Sequence, residues 1–217
     1  MEDPIRAEEV RAELDDLGLR YFLDVRATVR RMLEQMRGEQ RTAFAAAAAQ
    51  RPLREDEQRP ARERLPQVAR WRGVLDEVWR CLAGDPTAPR EVEVALGRYY
   101  LDPDYHGHEP DDPADAAAHA VWAALYTCEC CLHGCLEFAT WAGWRGFDWA
   151  TVQAAADPTW PHRRPAEVSP YVWELAHPRL QAELDRQLAD LEQLAVAGDV
   201  LLDPAADRQP LLARLRA

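Results

Sequence analysis

Asp112-Pro-Ala-Asp-Ala-Ala-Ala-His119-Ala-Val-Trp122-Ala-Ala-Leu125-Tyr-Thr-Cys128-Glu-Cys130-Cys131-Leu-His133-Gly-Cys135-Leu-Glu137-Phe-Ala-Thr-Trp141 is the stretch whose reading decides the fold. Asp112-Pro113 reads as an N-cap and first helical residue. The carboxylate can accept from the open N–H groups of the first turn, and proline brings no N–H of its own to that position. Alanine and leucine then favour helix. A helix of about eight turns, at ~3.6 residues per turn, is predicted to reach Trp141, with Gly143 and Gly146 ending it. This segment, near 113–142, is the most apolar of the chain and is expected at the centre of the fold. His119, Glu129, His133 and Glu137 make it a poor membrane span.

Outward from this segment, helical periodicity recurs and strand alternation is nearly absent. Upstream, Phe22, Val25, Val29, Met32, Leu33 and Met36 share one helix face. Gly38 interrupts, and Ala43 to Ala49 renew the helical propensity. Arg51 to Pro66, with Pro52, Pro60 and Pro66, reads as a charged, mobile linker. Val68, Trp71, Leu75, Val78, Trp79 and Leu82 form another face, closed by Gly84. A short helix is predicted over Glu91 to Tyr99. Downstream, Asp148 caps a short helix through Ala156, and a Pro-rich loop follows near 157–169. Ser169-Pro170 begins a further helix, which Pro178 bends or restarts. Leu180, Leu184, Leu188, Leu191 and Leu194 line its face up to Gly198. Leu211, Leu212 and Leu215 make a last apolar edge. The expectation is an all-α, single-domain bundle of about seven or eight helices over 1–217.

With 217 residues the chain can bury one sizeable core. Its 26 basic and 38 acidic residues leave a net charge of −12, which repels a phosphate backbone. The two basic groups, Arg26/Arg30/Arg31/Arg37 and Arg59/Arg62/Arg64, are interleaved with acids, so no nucleic-acid partner is expected. No membrane partner is expected either. Every basic residue of the 26 is arginine, which together with abundant Ala and Pro points to a GC-rich bacterial genome. The opening residues lack a basic segment followed by an apolar one, and five cysteines are an odd number for a disulfide framework. A reducing cytoplasm is the expected compartment.

Three segments carry a resemblance. Tyr21-Phe22 leads into Arg30-Arg31-Met32-Leu33. Arg72-Gly-Val-Leu-Asp-Glu-Val-Trp79 contains a Leu-Asp-x-x-Trp helix. His177-Pro178-Arg-Leu180 continues through Glu183 and Gln187 to Leu191. In order and spacing these are similar to the YjaG-like family of small bacterial proteins, which carry a domain of unknown function. The cysteine-rich segment and the 51–66 linker depart from that pattern. The resemblance implies an all-helical fold and no particular activity.

Zinc would need thiolates and imidazole converging tetrahedrally. On one straight helix, at ~100° per residue, Cys128 and Cys135 fall on the apolar face and Cys131 at its edge. Cys130, Glu129, His133 and Glu137 point the other way, beside Tyr126 and His119. Cys128, Cys131 and Cys135 are therefore read as core residues, and Cys130 as the most accessible thiol of the cluster. Glu129, His133 and Glu137 make a stripe that could hold a metal or shift a proton. His106, His108 and Glu109, in the acidic 102–112 segment, are a second candidate ligand set. Glu174-x-x-His177 has di-iron spacing but occurs once. No cofactor is called for. Among eight tryptophans, Trp144 and Trp160 lie in Gly- and Pro-rich connections and, with Arg145, are the candidate interface residues. Trp79 is assigned to the core.

The expected function is that of a non-enzymatic, acidic protein-binding protein, an immunity-type protein against a basic toxin being one concrete form. The alternative is a metal- or thiol-dependent enzyme using the Glu129/Cys130/His133/Glu137 face or the His106–Glu109 segment.

Overall fold

Seven consecutive residues of one helix, Ala43 to Ala49, are wholly buried, and the rest of the fold is arranged around them. The computed structural model describes residues 22–58, 60, 66–102, 115–160 and 170–217. Among them nine α-helices form and no strand does. In chain order these are α1 (Phe22–Glu34), α2 (Gly38–Gln58), α3 (Pro66–Leu82), α4 (Ala88–Tyr100), α5 (Ala116–His133), α6 (Leu136–Ala155), α7 (Pro170–Leu175), α8 (Pro178–Ala197) and α9 (Gln209–Arg216). A 3₁₀ turn, Gly198–Leu201, follows α8.

The helix at the centre is α2. Helices α5 and α6 pack along each other as a hairpin, and α2 lies against both. Helix α3 covers α5 and α2, and α4 rests on α3 and α5. On the other side α8 packs on α6, α2 and α1, and α9 closes against α2. Alanine makes this possible, since short side chains let neighbouring helices approach a backbone closely on every side. The larger volume is supplied from around it by Leu33, Leu53, Leu75, Leu125, Leu180 and Leu191, all essentially inaccessible. Each contributes roughly 1.5–3 kcal/mol by burial.

Three sequence expectations are corrected here. The single helix near 113–142 is two helices. Gly134 takes a left-handed conformation (φ 62°) and caps α5, its N–H donating to the carbonyl of Cys130. The N-cap of α5 is Asp115, whose carboxylate accepts from Ala117 and Ala118; Asp112 lies outside the described residues. Gly143 and Gly146 do not end a helix, since α6 runs through both. They are where α2 comes closest: a Cβ on Gly143 would stand 3.1 Å from the Phe44 ring, and one on Gly146 3.3 Å from the Ala48 carbonyl oxygen.

The segment 51–58, read as part of a linker, is the last third of α2. Pro52 is buried within it and brings no N–H, so the carbonyl of Ala48 loses the helix's own donor. That is the carbonyl facing Gly146. Arg51 anchors the same turn. Its guanidinium, almost out of solvent, donates to both Glu183 carboxylate oxygens and to Asp190, each at 2.8 Å. Burial alone would lower its proton affinity, but the two carboxylates of α8 together raise it. Helix α8 starts at Pro178, as a restart, with His177 as its N-cap accepting from the N–H of Arg179 at 3.1 Å.

Candidate functional site

Four helices supply the walls of a pocket of about 670 Å³. Its core is a set of three rings. Tyr126 comes from α5, and Phe138 and Trp141 stand three apart on the first turns of α6. Tyr126 and Trp141 lie 5.3 Å apart, and Phe138 and Trp141 meet edge to face at 5.5 Å. Such contacts hold the rings in fixed relative poses. Trp141, 38% exposed, is the most open of the three.

Glu129 sits one helical turn beyond Tyr126 and lines the same pocket. The phenol of Tyr100, from the end of α4, donates to its Oε1, and His133 Nε2 stands 3.3 Å from its Oε2. The carboxylate is thus held in place from two sides at the pocket wall. At the far end Arg26 of α1 stacks 3.5 Å over the Trp144 ring. Arg145 pairs there with Asp148 at 3.3 Å, and Asp148 lies 3.9 Å from His119. That end holds both signs of charge side by side. The Tyr126–Trp141 end presents a carboxylate among rings.

The residues singled out from sequence are only partly brought together. Glu129, Trp144 and Arg145 line the pocket, and His133 adjoins it through Glu129. Glu137 does not. The break at Gly134 resets the helical phase, and Glu137 opens α6 facing α1, where Arg30 reaches it at 3.4 Å. A hydrogen bond from Cys135, the backbone N–H at the helix start and Arg30 hold its carboxyl below the usual range. Cys130 is not the accessible thiol expected. It is completely buried, with Thr42 of α2 donating to it at 3.7 Å, and burial pushes it up to about 11. Cys128 is buried as expected, whereas Cys135 is half-exposed. The four residues of the proposed Glu129/Cys130/His133/Glu137 face therefore do not meet at one point.

Trp160 lies away from the pocket, packed 5.1 Å from Trp173 and 4.7 Å from His177. The imidazole of His177 is used in capping α8 and stands 3.4 Å from Asp157, so it is not presented with Glu174 as a ligand pair. His106, His108 and Glu109 lie outside the described residues. Among the described residues no three His, Cys, Asp or Glu side chains are grouped to hold a metal ion. None of the helices among them is long and apolar enough to cross a membrane.

Tyr100, Tyr126 and Phe138 were not picked out from sequence as site residues. The spacing of Tyr126 and Glu129 on one face was visible; the approach of Tyr100 and the turn of α6 were not. A larger cavity of about 880 Å³ lies between α2, α8 and α9. Among its charges, Arg51 holds Glu183 and Asp190, and Arg179 holds Glu55 at 2.8 Å.

The chain matches no family model, no curated protein and no solved structure.

Proposed function

We propose that this is a non-enzymatic, acidic protein-binding protein whose ring-walled pocket receives a basic side chain of a partner protein. The observation that carries the reading is the Glu129 carboxylate fixed beside Tyr126, Phe138 and Trp141. An arginine or lysine entering there gains ring faces for its cation and a carboxylate for its N–H groups. The net charge of −12 steers a basic partner toward the surface, while a few desolvated aromatic contacts supply affinity. A protein that neutralises a basic toxin, in the manner of an immunity protein, answers this description. Five free thiols suit a reducing compartment such as the cytoplasm.

The test uses immobilised peptides that differ only in one central residue, arginine or its uncharged isostere citrulline. The arginine peptides are expected to bind at least tenfold more tightly. Trp141→Ala and Glu129→Gln should each remove that preference while keeping the thermal midpoint close to the parent's. Trp79→Ala, which empties a core position, should instead cost ~3–5 kcal/mol of stability. Equal binding of both peptides, or a preference that survives Trp141→Ala and Glu129→Gln, overturns the reading.

A further inference from the structure

Three helices each bring an exposed arginine to the wall of the cavity of about 880 Å³: Arg54 from α2, Arg186 from α8 and Arg214 from α9. The acids around them are taken. Arg51 is shared between Glu183 and Asp190, Arg179 pairs with Glu55 and Arg216 with Asp76, each at 2.8 Å. Arg54 is held by backbone oxygens, donating to Arg216 at 3.2 Å and to Ala217. Among the described residues Arg186 and Arg214 make no hydrogen bond and no ion pair; Arg186 precedes Asp190 by one turn of α8 without pairing with it. We propose that this cavity is a binding site for a small polyphosphate anion, seated between Arg54, Arg186 and Arg214.

Six arginines line the cavity against three acidic side chains, so its local sign is opposite to the net charge of −12. Guanidinium groups stay charged throughout the physiological range, so their mutual repulsion persists until an anion enters. A concave wall concentrates that field. Each guanidinium offers a planar fork of N–H donors that matches two phosphate oxygens. The inner wall is firm: Trp149 and Glu183 are both buried, and Arg179 lies 5.7 Å over the Trp149 ring. The size of the ligand follows from the same facts. The volume is that of a small-molecule site, ~300–1,000 Å³. A long polyanion would run out of the cavity onto a surface that is acidic on average, whereas a short one stays among the arginines. The cavity shares no lining residue with the ring-walled pocket, so this site is separate from the one proposed for the protein partner.

Tripolyphosphate, pyrophosphate and orthophosphate are titrated by calorimetry into the 217-residue chain at one ionic strength. Tripolyphosphate is expected to bind saturably at one site, at least tenfold more tightly than orthophosphate. Arg186→Gln and Arg214→Gln should each weaken it at least fivefold. Arg90→Gln removes the same charge from an exposed position of α4 outside the cavity, and should change it less than twofold. Without anion, the thermal midpoints of Arg186→Gln and Arg214→Gln should equal or exceed the parent's, since a repelled like charge is gone. Tripolyphosphate should raise the midpoint of the parent and not that of the double variant. Absence of saturable tripolyphosphate binding overturns the proposal. So does an equal loss in Arg90→Gln, which assigns the effect to overall charge, or undiminished binding in the double variant, which puts the anion elsewhere. A midpoint well below the parent's in either single variant overturns it too, because an arginine that holds the fold together is not free to hold an anion.

Discussion

Gly134 and Gly38 meet backbone to backbone: a Cβ built on either would stand 3.2 Å from the Cα of the other. The turn between α5 and α6 is thereby seated on the start of α2, and Arg41 ties it down by donating to the Gly134 carbonyl at 3.1 Å. The same residue that stops the apolar helix is the one that lets the hairpin reach the central helix.

Gly134→Ala must accept a left-handed backbone, at a cost of roughly 1–2 kcal/mol, and must also push Gly38 away. Its expected destabilisation is about 2 kcal/mol or more, read from urea unfolding midpoints. Gly73→Ala is the counterpart. It lies within α3, and a Cβ there meets nothing within 4 Å, so helix propensity alone should add ~0.5–1 kcal/mol. Equal midpoints for Gly134→Ala and the parent would falsify the contact as a constraint.

Arg51→Met leaves the carboxylates of Glu183 and Asp190 facing each other out of solvent. Removing one partner from a buried charge group costs ~3–5 kcal/mol. Asp190→Asn should cost less, because burial already pushes the Asp190 carboxyl above its ordinary range and Glu183 still holds the guanidinium. Thermal denaturation of the two variants checks the order; an Arg51→Met protein as stable as Asp190→Asn would count against the cluster as a fastening of α2 to α8.

Alkaline pH should unfold the protein through its buried thiols. Burial raises Cys128 above its ordinary value and Cys130 to about 11. A raised acid releases its proton more readily from the unfolded chain. The stability linked to these groups is therefore intact below the unfolded thiol's range near pH 9 and falls as pH rises. While both stay protonated in the fold, each should cost ~1.4 kcal/mol per pH unit, and Cys130 stops contributing as pH passes about 11. The measurement is unfolding free energy between pH 8 and 11 for the parent and Cys130→Ser. An unchanged slope in the variant would remove Cys130 from this account.

Most helices were legible in the sequence because their apolar residues recur on one face, as Val68 to Leu82 and Leu180 to Leu194 do. What failed were the punctuation marks. Gly143, Gly146 and Pro52 carry the local chemistry of helix ends, yet here they serve contact between α2 and α6. Gly134 looked tolerable inside an apolar run, yet it is the break. These roles depend on which helix lies opposite, and a single chain segment does not state that. The same break explains the site. Tyr126, Glu129 and His133 precede it and kept the alignment inferred from a straight helix; Glu137 follows it and did not. Cys130 was misplaced because α5 is apolar around most of its circumference, so its pattern marks no single inward direction.

The alanine-built centre of α2 also sets how the gene can change. One base substitution turns an alanine codon into one for Thr, Ser, Pro, Val, Asp, Glu or Gly. All but glycine need more room than a methyl group, and glycine gives up about 1 kcal/mol of helix propensity. Between Ala43 and Ala49, where no solvent-facing side exists, nearly every such step collides with a neighbouring helix backbone. In a saturation library this heptad, six of whose seven residues are alanine, should stand out as the longest uninterrupted run of intolerant codons, though alanine is the residue usually regarded as the most replaceable.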